Sequence, residues 1–349
     1  MNKQLHGFNI IRLLCFCALT TYHVYWVLSS SVFNLPDNYP NLFIWLIEHY
    51  ARSMCFSGFG IVVLSSFLLG RSKKSLRERR GLFIFLGLGW TLFSVLLSLR
   101  DQTEFHLAWD VYPLFLLGIS SAYLIFRNTC GVFPLCALTC SLMLLFFPIW
   151  DLSLFRRLPY YVQEVLIGRC PEDYADWPIL PWISLIWLGF WWGRLYRDRG
   201  LLSRFYPYEL VLWLPGLLLF FQHKEAYYYT PIGEGWACHT FRQPPIAFLG
   251  HLSLWLLAIR LSCHEKVQSF LDKNRVVRMI GTLALSRYFF IAYLLHYLIL
   301  FSLEGFYRYY HINSLTSWTI APIIVPLGAE ITTRLLVRIW PLKRRHGES

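Results

Sequence analysis

The chain has 349 residues, of which 56% are hydrophobic, 18% aromatic and only 15% charged. Average globular proteins contain about 25% charged residues, whereas this chain repeatedly shows apolar runs of about 18 residues or more, the length that spans a bilayer. The composition excludes a soluble enzyme, a secreted disulfide scaffold and a disordered chain. It predicts an all-α polytopic integral membrane protein, with a single domain over residues 1–349.

Ten hydrophobic segments are predicted to be membrane-spanning helices. In chain order they are Phe8–Leu28, Met54–Leu69, Leu82–Leu99, Trp109–Phe126, Val132–Trp150, Trp177–Tyr196, Leu210–Phe221, Pro245–Leu261, Tyr288–Leu303 and Trp318–Ile339. The seventh segment is short and contains Pro215-Gly216, a pair that is typical of a broken or tilted helix.

The formal net charge of +12 comes from 32 Lys and Arg against 20 Asp and Glu. In a membrane protein such cations first report topology, because cytoplasmic connections carry the excess of Lys and Arg. Most of them lie in alternate connections, including residues 71–80 and the tail after Ile339. We therefore expect both termini in the cytoplasm, an even number of spans and a multi-pass protein of a plasma membrane, in a bacterium the inner membrane. Nucleic acid is not an expected partner, because no soluble domain is available to bind it.

Nine cysteines occur without a CxxC pair, so the sequence predicts no metal site. Cys170 and Cys238 both fall in long connections on the predicted outer side. In an oxidising compartment they could form a disulfide between these loops, and two unpaired thiols are the alternative.

Arg12 and His23 are ionisable residues within the first predicted span, where such residues are expensive and point to function. Eleven residues of helix correspond to three turns and about 16 Å, so the two side chains share one face. A cation near one membrane surface and a deeper imidazole suit a substrate that extends along the helix, with His23 as a general base. The alternative is an arginine that reaches the headgroups and a histidine bonded to a neighbouring helix.

Other polar residues in or beside the spans are weaker candidates. His296 fits either a second proton carrier or a contact between helices. Glu330 and Arg334 have the spacing of an i,i+4 ion pair, and Asp110 fits the N-cap of the fourth span. Trp182 belongs to a tryptophan-rich helix that is typical of a membrane interface, with sugar stacking as the alternative.

The first span resembles the opening helix of membrane acyltransferases. Residues His6-Gly7-Phe8-Asn9-Ile10-Ile11-Arg12, followed after ten residues by His23, are similar to the "LDxLRGLA…H" pattern of the acyltransferase-3 family and of the heparan-alpha-glucosaminide N-acetyltransferase-like family. Further resemblances to the second family occur in chain order at Gly60–Phe67, Trp109–Tyr112, Trp177–Trp182 with Gly189 and Gly193, Phe241–Pro245 and Tyr293–His296. The chain departs from the pattern at Asn9, Leu13 and Ser66, which replace Asp, Gly and Gly.

The resemblance implies transfer of an acyl group, usually acetyl, from cytoplasmic acetyl-CoA to a hydroxyl or amine of an extracytoplasmic glycan or lipid-linked saccharide. It implies that His23, Arg12 and His296 are catalytic and that Arg12, Arg79 and Arg80 hold the donor. Asn9, Asp110, Trp182 and Arg242 would contact the acceptor, and no metal is implied.

Two other classes remain open from the sequence alone. A transporter or flippase for a polar solute or lipid-linked sugar would use the same buried ionisable residues to gate its cargo, and a structural or assembly subunit is the third possibility. The sequence contains no GxSxG, Walker A, Rossmann or HExxH motif. Membrane lipids are expected partners of the basic connections, and assembly into a homo-oligomer stays open.

Overall fold

The computed structural model of the protein describes residues 6–30, 54–102, 105, 107–127, 157–167, 179–199, 214, 255, 257–280, 282–310 and 314–339. This part of the chain is almost entirely helical and contains no strand, which confirms the all-α prediction. The chain divides into two compact units. The first contains Met1–Leu5 and Gly58–Phe270, and the second contains His6–Ser57 and Leu271–Ser349.

The α-helices that the structure describes are numbered here in chain order. They are α1 (His6–Ser30), α2 (Met54–Arg71), α3 (Arg80–Asp101), α4 (Val111–Ile125), α5 (Tyr160–Ile167), α6 (Ile179–Arg199), α7 (Glu265–Lys273), α8 (Arg275–Ile280), α9 (Ala284–Arg287), α10 (Phe289–Tyr310) and α11 (Ser314–Ile339). A short 3-10 turn, Arg77–Arg79, precedes α3, and residues 257–263 are also helical.

Seven predicted spans coincide with α1, α2, α3, α4, α6, α10 and α11. Within the described residues, three stretches are long and apolar enough to cross a membrane: Arg77–Asp101, Phe289–Tyr310 and Ile320–Ile339. The predicted segments Val132–Trp150 and Leu210–Phe221 lie outside the described residues, apart from residue 214. The segment Pro245–Leu261 is only partly described.

The last two predicted spans were too short. Helix α10 continues to Tyr310, well past the predicted end at Leu303, because Arg308 reaches back one turn to Glu304 and supports the polar end of the helix (Nη2 to Oε1, 2.7 Å). Helix α11 begins at Ser314 and is continuous through Pro322 and Pro326, so neither proline ends it.

In the first unit, helices α2 and α6 approach each other at three glycines. A Cβ placed on Gly193 would lie 2.1 Å from the carbonyl oxygen of Phe67, and one on Gly189 would lie 2.5 Å from that of Val63. From the other side, a Cβ on Gly70 would lie 2.0 Å from the carbonyl oxygen of Phe190. The Gly-x-x-x-Gly spacing therefore permits the two backbones to touch, as small residues do where membrane helices pack closely.

Several cationic side chains gather at one end of the first unit, around Tyr123. The Tyr123 hydroxyl donates to the Lys74 carbonyl at 3.0 Å and accepts from Arg79 Nε. Arg197, at the end of α6, donates to the Ser72 carbonyl at 3.2 Å, and the guanidinium carbon of Arg194 lies 5.6 Å from the centre of the Tyr123 ring. The basic connection 71–80 and the basic end of α6 thus lie together.

In the second unit, α1 packs against α8, α9, α10 and α11, and α10 packs against α11. The carboxylate of Glu330 on α11 is mostly buried and accepts the backbone N–H groups of Ala284 and Leu285 at 3.0 and 2.9 Å. Arg334 donates to the same carboxylate. The expected ion pair between Glu330 and Arg334 is present, and Glu330 in addition fixes the first turn of α9.

The close contact between α2 and α6 can be tested by substituting Gly193 with valine. We expect Gly193→Val to destabilise the protein by roughly 1–3 kcal/mol, the usual cost of overpacking, because its Cβ would meet a backbone oxygen that cannot rotate away. The measurement is the midpoint of thermal unfolding in detergent.

The matched control for this substitution is Gly87→Val in α3, where a Cβ meets no atom within 4 Å. Both variants carry the same intrinsic cost of a β-branched residue in a helix. Equal losses of stability in the two variants would contradict a tight α2–α6 contact.

Candidate functional site

A chain of hydrogen bonds joins two histidines and a tyrosine inside the second unit. Nδ1 of His23 on α1 lies 2.7 Å from Nε2 of His296 on α10, and Nε2 of His23 lies 3.0 Å from the hydroxyl oxygen of Tyr297. The two imidazole rings are stacked, with centroids 4.9 Å apart and planes 14° apart. The exposed fractions of His23, His296 and Tyr297 are 3%, 0% and 3%.

The position of each residue follows from helical spacing. On α1, Arg12, Phe16, Leu19, His23 and Val27 recur every three or four residues, and all are buried. This spacing places them on one stripe of the helix. On α10 the buried stripe contains Phe289, Ala292, Tyr293, His296, Tyr297, Leu300, Glu304 and Tyr307. Because α1 packs on α10, His23 on one stripe meets His296 on the other.

Aromatic side chains enclose the imidazole pair. Phe16 presents its edge to His296 at 5.7 Å between ring centroids. Tyr293 makes edge contacts with His23 at 6.0 Å and with His296 at 5.1 Å. Because these rings exclude water, the nitrogens depend on one another for hydrogen bonds.

The hydrogen positions follow from requiring each contact to have one donor and one acceptor. We assign the His23 hydrogen to Nδ1, which donates to His296, so that His23 Nε2 accepts from Tyr297. The His296 hydrogen then lies on Nδ1, which makes no hydrogen bond of good geometry, and the ring lies near the carbonyl groups of Ala292 and Tyr293. With the opposite assignment, the lone pair of His296 Nδ1 would point at those carbonyl oxygens, which repel it. The assigned arrangement is two neutral imidazoles and a hydroxyl in series.

Arg12 lies on the same stripe of α1 as His23, three helical turns away. Its side chain is 8% exposed, and its Nε has no hydrogen-bond partner in the structure. A buried guanidinium with an unused donor is costly unless an anion or another acceptor completes it. Asn9 is partly exposed and lies one turn before Arg12, so the two predicted contacts of α1 are adjacent.

The other predicted donor-binding residues belong to the first unit. Arg79 donates to Tyr123 and, at 3.4 Å, to the Leu69 carbonyl. Two nitrogens of its guanidinium are therefore already engaged in hydrogen bonds within the protein. Arg80 begins α3 and is exposed.

The predicted acceptor-binding residues are dispersed. Asp110 occupies the N-cap position of α4 and is 1% exposed, but its side chain makes no capping hydrogen bond. Trp182 has no exposed surface, so its ring offers no accessible face to a sugar. Arg242 lies outside the described residues, as do Cys170 and Cys238.

Two residues that are conspicuous in the structure were not candidates from the sequence. Tyr297 follows His296 directly, and its only signal was the four-residue spacing from Tyr293. Arg260 is 1% exposed, although its place at the end of an apolar segment suggested a topology-setting cation. In the described part of the chain, no group of three or more His, Cys, Asp and Glu side chains is placed to hold a metal ion.

Comparisons of the chain with protein-family models, with curated proteins and with solved structures found no match. The chemistry of the candidate site therefore rests on the geometry of its own residues.

The cap that Glu330 provides can be tested by Glu330→Gln. We expect this variant to lose roughly 1–3 kcal/mol of folding stability, because the neutral amide cannot accept both backbone N–H groups and still satisfy its own. The comparison variant Arg334→Met removes only the ion pair, whose arginine is 47% exposed, and should cost less than about 1 kcal/mol. Thermal unfolding in detergent measures both. A larger loss in Arg334→Met would contradict the capping role.

Proposed function

We propose that the protein is a membrane-bound acyltransferase that uses His23 as its general base. The observation that carries the proposal is the buried series Tyr297–His23–His296, because a neutral imidazole that is hydrogen-bonded to a hydroxyl and to a second imidazole can take the proton of the hydroxyl and return it. The resemblance of the first span to membrane acyltransferases supports the same reaction class.

The proposed reaction moves an acyl group, most simply acetyl, from the sulfur of a CoA thioester to a hydroxyl or amine of the acceptor. The acceptor hydroxyl gives its proton to the Tyr297 oxygen as Tyr297 gives its own to His23 Nε2. The acceptor oxygen attacks the thioester carbonyl, the C–S bond breaks, and the leaving sulfur takes the proton back from His23. His296 accepts the His23 Nδ1–H throughout and stabilises the transient imidazolium.

Arg12 is proposed to bind the donor. Its unused Nε–H and buried charge suit a phosphate or the carbonyl of an extended acyl-CoA, and it lies about 16 Å along the helix axis from His23. The donor would therefore reach from Arg12 toward the imidazole pair. Arg79 and Arg80 remain proposed contacts to CoA phosphates. Asp110 and Arg242 remain proposed contacts to the acceptor. Asn9, one turn from Arg12, would lie on the donor side instead, and Trp182 has no exposed surface with which to contact a sugar.

The proposed setting is a plasma membrane, with ten spans and both termini in the cytoplasm. The donor would bind from the cytoplasm and the acceptor, a glycan or lipid-linked saccharide, from the opposite side. The separation of Arg12 and His23 along α1 supports this arrangement, because each would then lie closer to its own substrate's side of the membrane.

The reaction class can be tested with purified protein in nanodiscs and acetyl-CoA labelled in the acetyl group. We expect release of free CoA in the presence of an envelope saccharide acceptor and incorporation of label into that acceptor. His23→Ala should lower the rate by roughly 10²–10⁴-fold, the usual contribution of a general base. His264→Ala, which changes a partly exposed histidine outside the hydrogen-bonded series, should retain full activity. Full activity in His23→Ala would contradict the proposal.

The roles of the two partners of His23 can be separated by conservative substitutions. Tyr297→Phe removes only the hydroxyl and should lower kcat by roughly tenfold or more, whereas Tyr307→Phe, also buried on α10, should change little. His296→Leu leaves the His23 N–H without an acceptor, and His296→Gln should recover part of the activity because its amide oxygen can accept. Equal rates for the Leu and Gln variants would contradict a hydrogen-bonding role for His296.

A transporter is the second candidate, because the same series of hydroxyl and imidazoles could carry a proton coupled to movement of a solute. Carriers commonly place broken helices at the substrate site, and α11 remains unbroken despite its two prolines. The labelled acetyl-CoA experiment separates the two functions. A carrier would release no CoA, and its His23→Ala variant would instead lose proton-coupled uptake in liposomes.

A further inference from the structure

Helix α7 differs from the apolar helices because only one of its faces is hydrophobic. Val267, Phe270 and Leu271 are spaced i, i+3 and i+4, which places them on one side of the helix. None of the α7 residues is buried, and Phe270 is 68% exposed. Among the described residues, Phe270 is thus uncovered, and Val267 and Leu271 beside it are partly exposed.

The charges of α7 are ordered around this face. Lys266 and Lys273 lie four residues before and three residues after Phe270, which places both on the same side of it, along one edge of the hydrophobic face. Glu265 and Asp272 are seven residues apart and lie on the opposite side of the helix. The cations therefore border the hydrophobic face, and the acidic groups point away from it.

The location of the start of α7, which belongs to the first unit, provides an independent argument. Glu265, at its start, lies close enough to Tyr196 for their charges to interact, and the guanidinium carbon of Arg71 lies 5.3 Å from the centre of the Tyr196 ring. Helix α7 therefore begins at the same cation-rich end as the connection 71–80.

Helix α8 also exposes apolar and cationic side chains. The side-chain oxygen of Asn274 accepts the N–H groups of Val276 and Val277 at 3.0 and 3.2 Å and so starts the helix. Val276 and Met279 are 57% and 63% exposed. Arg275 and Arg278 are exposed as well, so exposed apolar and cationic side chains alternate along this segment.

We propose that α7 is an interfacial helix that docks onto anionic lipid headgroups, with Phe270 in the acyl region and Lys266 and Lys273 at the phosphates. A helix with one apolar face bordered by lysines, and with its acidic groups on the far side, has the arrangement that binds a negatively charged leaflet. The lysine side chains can extend their methylene groups along the apolar face and place their ammonium groups among the headgroups. The charge pattern favours a lipid surface over a protein partner. An anionic leaflet presents negative charge along the whole length of the helix, so it can meet Lys266 and Lys273 at the same time.

The test uses the full chain in nanodiscs, with p-benzoylphenylalanine replacing Phe270 in one variant and Ser269 in a matched control. Ser269 is adjacent in sequence but lies on the polar side of α7. The nanodiscs contain phosphatidylcholine alone or an equal mixture with phosphatidylglycerol. After irradiation, mass spectrometry of the 264–280 peptides identifies lipid adducts. Unchanged elution and thermal unfolding in detergent establish that each variant is folded.

We expect lipid adducts at position 270 and few at position 269, with a higher yield when phosphatidylglycerol is present. The substitutions Lys266→Gln and Lys273→Gln should each lower the phosphatidylglycerol-dependent yield about fivefold, whereas Lys73→Gln, outside α7, should leave it unchanged. Equal adducts at the two positions, adducts to protein instead of lipid, or a yield that is independent of phosphatidylglycerol would each overturn the proposal. These results do not depend on whether the protein transfers acyl groups.

Discussion

A polar group inside an apolar helix bundle must find its hydrogen-bond partner within the protein, because no water or lipid can supply one. The second unit follows this constraint at two places. The buried carboxylate of Glu330 accepts two backbone N–H groups of α9, and His23 uses both ring nitrogens on α10. Each contact joins elements that are far apart in sequence, so the polar groups specify which helices pack together as well as what the site can do.

The two kinds of polar contact have different consequences. The Glu330 carboxylate is fully used by α9 and Arg334, which makes it a structural group. The imidazole series is less complete, since His296 Nδ1 has no well-aligned acceptor and Arg12 Nε has no partner. Buried polar groups in native structures are nearly always hydrogen-bonded, so each exception needs an explanation. The polar residues of α1 and α10 are thus less completely hydrogen-bonded than the Glu330 carboxylate that holds α9.

The positions of the helices could be predicted from sequence because hydropathy is a local property, and seven predicted spans coincide with helices in the structure. The end of α10 could not be predicted from hydropathy, because its last turns contain the pair Glu304–Arg308 and are less apolar. Arg12, His23 and His296 were candidates because an ionisable residue is conspicuous in an apolar segment. Tyr297 was not, because the chain contains 21 tyrosines and only packing shows which hydroxyl meets an imidazole. Trp182 was expected near the membrane interface, but it is buried because α6 packs against α4 on one side and α2 on the other.

The placement of Arg12 and His23 on a single uninterrupted helix has a geometric consequence. Their separation is set by the peptide geometry of α1, so motions between helices cannot lengthen or shorten it. A single residue inserted between them would add only about 1.5 Å, but it would rotate His23 by about 100° around the helix axis and remove it from His296. The number of residues between these two positions is therefore fixed, whereas substitutions that preserve the helix and its buried stripe leave their separation unchanged.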